Sequence, residues 1–207
     1  MRKKSLTTRR SLQELVNKVA SDVGEEAVER RLGNPGSTAV MFLLDVSGSM
    51  AANEKLPQSK EGLLGFARDT GIERLGLIAF SDSASLVRTL DTAPLESAVA
   101  SLSCRGGTSL AGAIRMARTE LDEVEVGRRV MMLVTDGCPG DRDESETEAE
   151  AAKRAGIEIL AIATQDADQA FLNRLVSSKE FSVSVNDSNL RLGIQKAAGL
   201  LALPSRR

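Results

Sequence analysis

Two hydrophobic patterns alternate along this chain. Compact apolar runs lie at Ser37 to Asp45, Leu75 to Phe80, Arg129 to Thr135, Ile157 to Thr164 and Phe181 to Val185, and each reads as a strand. The runs ending at Asp45 and Thr135 are apolar at nearly every position, which predicts strands buried on both faces. Between the runs, apolar residues recur at helical spacing: Leu63, Phe66 and Ala67 within Leu56 to Asp69, then Leu110, Ile114, Ala117 and Leu121. The same spacing returns with Phe171, Leu172 and Leu175 behind a capping Asp168, and with Leu190, Ile194, Ala197 and Leu201. A short helix is expected from Pro94 to about Leu102. Ser85 to Leu90 is a further strand, separated from Leu75 to Phe80 only by the loop at Ser81 to Ala84. That loop cannot hold a crossover helix, so the pair must be an antiparallel hairpin. Strands alternating with helices predict an α/β, doubly wound fold: a mostly parallel central sheet with one antiparallel edge hairpin, flanked by helices on both faces.

The pattern divides the chain into residues 1–36, a main domain at 37–202 and a tail at 203–207. In the first segment, Met1 to Arg10 is basic and acid-free; Ser11 with Glu14 then forms a capping box, and Leu12, Leu15, Val16 and Val19 share one helical face. Gly33-Asn34-Pro35-Gly36 breaks this helix and sets the boundary.

Composition narrows the chemistry. With 207 residues, 42% hydrophobic, the chain suits one globular domain and leaves no room for a second full one. There is no histidine, which excludes a Ser-His-Asp triad, a Cys-His pair and every histidine-ligated metal site. Aromatic content is 2% and net charge −2, so neither base stacking nor a general attraction to phosphate supports nucleic-acid binding. Two cysteines, Cys104 and Cys138, are too few for a secreted disulfide scaffold, although a redox-sensitive pairing between them is an alternative to a buried apolar role. No apolar run is long enough for a membrane span and no signal-peptide core follows the basic residues, so a cytoplasmic location is expected.

The candidate chemistry sits at Met41 to Met50, where an apolar run ends in Asp45 and continues as Val-Ser-Gly-Ser-Met. Asp45, Ser47 and Ser49 are hard oxygen donors at alternate positions, suited to Mg²⁺ or Mn²⁺, and Gly48 is expected to let the backbone turn so that they converge. Two other stretches bear on the same chemistry. Arg105 to Leu110 reads Arg-Gly-Gly-Thr-Ser-Leu, with Thr108 at the mouth of a helix, and Val130 to Gly137 ends a buried run in Thr-Asp-Gly, with Asp136 at its tip.

With these three stretches in order, the chain resembles the von Willebrand factor A domain family, over about residues 37 to 202. The family's metal-ion-dependent adhesion site, Asp-x-Ser-x-Ser followed by a threonine and then an aspartate, falls on Asp45, Ser47, Ser49, Thr108 and Asp136. The wording is especially similar to bacterial intracellular members. The resemblance implies a Rossmann-like fold in which the serines, and often the threonine, hold a divalent metal directly, the aspartates acting partly through water. It implies a non-enzymatic protein-interaction module that captures a glutamate or aspartate from a partner protein at an open coordination position. Relatives of this type often work as adaptors beside a MoxR-type AAA+ ATPase or in stress and defence complexes.

The rival is a haloacid-dehalogenase-like Mg²⁺-dependent phosphatase, which also begins with an acid at a strand end. That chemistry places a second Asp two residues on, where this chain has Ser47. Neither a Gly-x-x-x-x-Gly-Lys-[Ser/Thr] loop nor a Gly-x-Ser-x-Gly elbow is present. Finally, Asp141 to Glu150 holds six acids against Arg142 alone; its second half is expected to begin a helix reaching Ala155. The acids read either as a solvated helix start or as a rim that repels acidic surfaces and selects a partner with a positive rim.

Overall fold

The computed structural model describes residues 37–90 and 94–201. The basic tail, the Ser11 capping box, the Gly33–Gly36 break and the 203–207 tail lie outside the described residues. Six strands form one sheet: β1 (Thr38–Asp45), β2 (Arg74–Phe80), β3 (Ala84–Arg88), β4 (Arg128–Thr135), β5 (Ile157–Thr164) and β6 (Ser182–Val185). Their order is β3-β2-β1-β4-β5-β6, with every pairing parallel except β2 with β3. The expected edge hairpin is therefore present, and the short Ser81–Ala84 connection is its cause.

Among the described residues, six α-helices cover the two faces: α1 (Lys55–Thr70), α2 (Leu95–Ala100), α3 (Ala111–Asp122), α4 (Arg142–Arg154), α5 (Gln169–Leu175) and α6 (Leu190–Leu201). Successive side chains of β1 point to opposite faces, and both sets are buried. Val40, Phe42 and Leu44 pack with Leu63 and Phe66 of α1 and Ile194 of α6. Phe42 and Phe66 meet edge to face, their ring centroids 5.0 Å apart, the favoured geometry for an aromatic pair. No helix among the described residues is long and apolar enough to cross a membrane.

The approach of α1 to α6 depends on Gly62. A Cβ there would stand 2.8 Å from Ile194 Cδ1 and 3.1 Å from both the Arg191 Cα and Ile194 Cβ atoms. A methyl group at an exposed helical glycine stabilises by about 1 kcal/mol through propensity. Here the overlap reverses the sign, and Gly62→Ala is expected to cost about 1–3 kcal/mol. Thermal denaturation checks this; a raised melting temperature would show that the two helices can part without loss.

Two expectations shift. The helix in the acidic stretch starts at Arg142, not in the second half of the run, because the Asp141 carbonyl already accepts the Ser145 N–H at 2.9 Å. The acids are also largely paired. Glu144 and Glu148 bond Arg115 of α3, Glu148 also meets Arg118, Glu146 bonds Arg174 of α5, and Glu150 bonds Lys153. These contacts tie α4 to its neighbouring helices, so the run is not a bare acidic rim.

Candidate metal centre

In a doubly wound sheet the functional crevice lies beyond the carboxyl ends of the strands, where the connections reverse direction. Here the reversal falls between β1 and β4, since β2 lies on one side of β1 while β5 and β6 continue from β4 on the other. Asp45 is the last residue of β1, and Asp136 directly follows the end of β4. The apolar runs thus deliver one carboxylate each to the switch point.

The Asp45 carboxylate is buried, 0% exposed, and each of its oxygens accepts a hydrogen bond from the chain. Its Oδ1 accepts the Ser47 N–H at 2.8 Å, and its Oδ2 accepts the Thr135 hydroxyl at 2.6 Å. Burial pushes the Asp45 carboxyl above its ordinary pKa; the Ser47 and Thr135 hydrogen bonds oppose this, and the nearby Asp136 charge adds to it. Asp45 therefore acts as an anchor that shapes the following turn. In that turn Ser47 Oγ lies 3.0 Å from Ser49 Oγ, and the Ser49 hydroxyl donates to Asp136 Oδ1 at 2.8 Å.

Thr108 is carried to the same edge by a clamped loop. The Arg105 N–H donates to the Val46 carbonyl at 2.7 Å, the Gly48 N–H to the Gly106 carbonyl at 3.0 Å, and the Gly140 N–H to the Thr108 carbonyl at 3.0 Å. The Thr108 hydroxyl lies beside the residue after Asp136, so that a Cβ built on Gly137 would stand 3.8 Å from Thr108 Oγ1. The left-handed glycine of the site is Gly106, at φ +64°, and not Gly48, which has no positive φ. A side chain at Gly106 would overlap the Asp82 carboxylate, whose Oδ1 accepts the Gly107 N–H at 2.7 Å. The tight turn expected at Gly48 is present without a positive φ: the Met50 N–H closes it onto the Ser47 carbonyl at 3.1 Å, and the Gly48 N–H clamps it to Gly106.

Of the five residues singled out from sequence, Asp45, Ser47, Ser49 and Asp136 are linked by hydrogen bonds where β1 and the end of β4 come together, and Thr108 is brought beside Gly137 by its own loop. Depth is graded: Asp45, Ser47 and Asp136 are buried, Thr108 is half-buried, and Ser49 is exposed. The donor set is hard oxygen throughout, and no group of three or more His, Cys, Asp or Glu among the described residues could hold a metal ion. Adjacent ligands of an octahedral Mg²⁺ at 2.0–2.1 Å are separated by about 2.8–3.0 Å. The oxygen spacings of 3.0 Å for Ser47 to Ser49 and 2.8 Å for Ser49 to Asp136 match that edge, so the residues fit a small hard cation.

Sequence reasoning missed several groups. Lys55, the first residue of α1, is 7% exposed and donates from Nζ to Asp136 Oδ2 at 2.8 Å, with Asp187 Oδ2 at 3.4 Å. Burial would lower the Lys55 pKa, but the hydrogen bond and charge of Asp136, helped by Asp187, raise it instead. Thr135 could have been suspected from its place before Asp136; Lys55 and Asp187 carry no sequence signal because their meeting is purely tertiary. Cys104 and Cys138 stand as free thiols, and burial, with the Asp136 and Asp45 charges, pushes the Cys104 thiol up. A raised thiol is a poor nucleophile, which weighs against a redox trigger at Cys104.

Known proteins resemble this chain in sequence and in fold. Residues 39–197 match the von Willebrand factor type A domain. The collagen alpha-5(VI) chain of Mus musculus is 26% identical over 167 residues, which is 72% of this chain and 6% of that one. Among solved structures, proximal thread matrix protein 1 of the mussel byssus, with a zinc-occupied MIDAS motif, superposes with TM-score 0.71 at 21% identity, over 82% of this chain and 47% of that one. The vWF domain of the type V pili tip protein Mfa5 from Porphyromonas gingivalis gives 0.71 at 12% identity, over 83% of this chain and 97% of that one. This chain spans a small fraction of the collagen chain and about half of the byssus protein. At these identities the two superpositions establish the fold alone. Since the family match runs from β1 into α6 and takes in every strand that positions the site, the chain belongs to the von Willebrand factor type A domain family.

Proposed function

We propose that this chain is a metal-dependent protein-binding module. Ser47, Ser49 and Thr108 would hold Mg²⁺ or Mn²⁺, with Asp45 and Asp136 supplying the charge. The observation that carries the reading is the continuous oxygen edge from Ser47 through Ser49 to Asp136, lying at the switch point and opening to solvent at Ser49. A bound divalent cation would supply an open coordination position for a glutamate or aspartate of a partner protein. The chain's own part is to hold its donors rigid: Asp45 orders the serine turn, and the Gly106 clamp holds Thr108. Hydroxyl donors neutralise the ion less than carboxylates would, which keeps an incoming acid favourable. A zinc-occupied MIDAS motif in the byssus protein supports the metal, and a pilus tip protein of this fold supports an interaction role.

The finer reading is an adaptor of bacterial intracellular type, cytoplasmic, serving an AAA+ ATPase of the MoxR kind or a stress or defence complex. Its support is the Asp-Val-Ser-Gly-Ser-Met, Gly-Gly-Thr and Thr-Asp-Gly wording, together with two free thiols. Calorimetric titration with Mg²⁺ and Mn²⁺, followed by capture of partners with and without chelator, tests the proposal. One bound metal and a partner retained only in its presence are expected. Absence of binding by both ions, or capture indifferent to chelator, would overturn it.

A further inference from the structure

The chain makes an unusual effort to bury one lysine beside the candidate metal centre. Between the serine turn and α1, two consecutive non-glycine residues, Asn53 and Glu54, take left-handed backbone at φ 52° and 54°. Each costs about 1 kcal/mol or more, and they turn the chain so that Lys55 points inward. The ammonium is then fixed by Asp136 Oδ2 at 2.8 Å and Asp187 Oδ2 at 3.4 Å. Asp187 is itself held: its Oδ2 accepts Asn53 Nδ2 at 2.8 Å, and its carbonyl accepts Gln58 Nε2 at 3.2 Å. Removing an ion pair of this kind seldom strengthens a fold when only one partner is deleted, yet keeping it adds little net stability. Stability alone does not account for the arrangement.

We propose that Lys55 is a positioning and specificity-determining residue of the metal centre, taking Asp136 Oδ2 for itself and setting the charge that a bound ligand meets. Only Asp136 Oδ1 is then left to the serine hydroxyls, so Asp136 can serve a cation through one oxygen. The charge follows from the same contacts. Counted formally with every carboxyl ionised, Asp45, Asp136 and Asp187 against Lys55 give minus two, which a divalent ion cancels. Without Lys55 the loaded site would be net negative. Lys55 therefore weakens the metal and strengthens an acidic ligand, trading one affinity for the other. The inference rests on the binding role proposed above and adds the group that tunes it.

The test uses Mn²⁺ as the metal and acetate as the carboxylate, with Mn²⁺ affinity from calorimetry and acetate binding from water-proton relaxation of the Mn²⁺-loaded protein. Lys55→Met and Lys55→Gln are each expected to bind Mn²⁺ more tightly and acetate more weakly, both on the order of tenfold. Adding Asp187→Asn to Lys55→Met removes one negative charge and should return acetate affinity toward that of the unmodified chain. The metal-free melting temperature of Lys55→Met should fall, because Asp136 loses its buried counter-charge, and saturating Mn²⁺ should restore it. Movement of both affinities in the same direction, no change in either, or a melting loss that Mn²⁺ fails to restore would overturn the role of Lys55. Failure of the unmodified chain to bind Mn²⁺ would instead overturn the proposed function.

Discussion

Replacing Ser47 and Ser49 together by alanine is expected to abolish metal binding and, with it, metal-dependent partner capture, while the metal-free melting temperature stays within a few degrees. Both hydroxyls lie on the oxygen edge that ends at Asp136, and neither fills the core: Ser49 is exposed, and the Ser47 turn is held through its backbone N–H to Asp45. Alanine keeps that N–H and removes two donors that no neighbour can replace. A loss of at least about a hundredfold in Mn²⁺ affinity is expected, since a hard cation left two oxygens short must find them in water. A second readout is linkage. Metal at a hundred times its dissociation constant stabilises a folded protein by about 2.7 kcal/mol, so Mn²⁺ should raise the melting temperature of the unmodified chain by several degrees and leave the double variant unmoved. An equal thermal shift in both proteins would place the metal elsewhere.

The second large effect is expected at Asp141. Its carboxylate accepts the Leu110 N–H and the Ala111 N–H, each at 2.9 Å, and the Ser109 hydroxyl at 2.8 Å, while its carbonyl starts α4. One residue thus caps the start of α3 from outside that helix and anchors the next helix along the chain. Asp141→Ala orphans those donors and is expected to cost about 2–3 kcal/mol, read by denaturant unfolding. The loosened segment, Ser109 to Ala111, begins one residue after Thr108, so metal affinity should fall as well. A loss under about 0.5 kcal/mol would mean that water replaces the carboxylate without penalty.

Asp141 also gives the fold a particular acid response. Burial alone would raise its pKa, but the Leu110 and Ala111 amides with the Ser109 hydroxyl outweigh that and hold it below the usual carboxylate range. Its contribution is therefore complete above the unfolded value near 3.9 and is lost as pH falls through the lower folded value. Asp45 acts with the opposite sign: raised by burial, it is a liability when ionised and is relieved on acidification. Asp141→Asn should accordingly flatten the acid limb of the stability profile. An unchanged limb would assign acid unfolding to other carboxylates.

Much of this was legible in the order of residues. The β2–β3 loop was too short for a helix, so the antiparallel edge followed; Asp168 preceded a helical stripe, and its Oδ1 does accept the Phe171 N–H at 2.9 Å. Apolar runs ending in Asp45 and Thr135 identified two strands whose tips hold the site, because an acid closing a buried strand has nowhere to go but the sheet edge. Charge was read less well. The six acids from Asp141 to Glu150 looked like a uniform surface, yet four of them pair with basic residues, three of these across helices, and Asp141 is spent on capping α3.

Periodicity and spacing therefore determined the kinds of element and the parallel sheet, since these depend on neighbours along the chain, while the set Asp45, Ser47, Ser49, Thr108 and Asp136 came from the family resemblance of three motifs taken in order. Only the tertiary structure decided which charges meet. Lys55 reaches Asp136 across 81 positions, and Thr135 reaches Asp45 across 90. Such contacts are set by which strands lie side by side and where the backbone turns, and one-dimensional patterning holds no term for either. Hydrophobic burial chose the fold, and the fold then chose the partners of every charge at its functional edge.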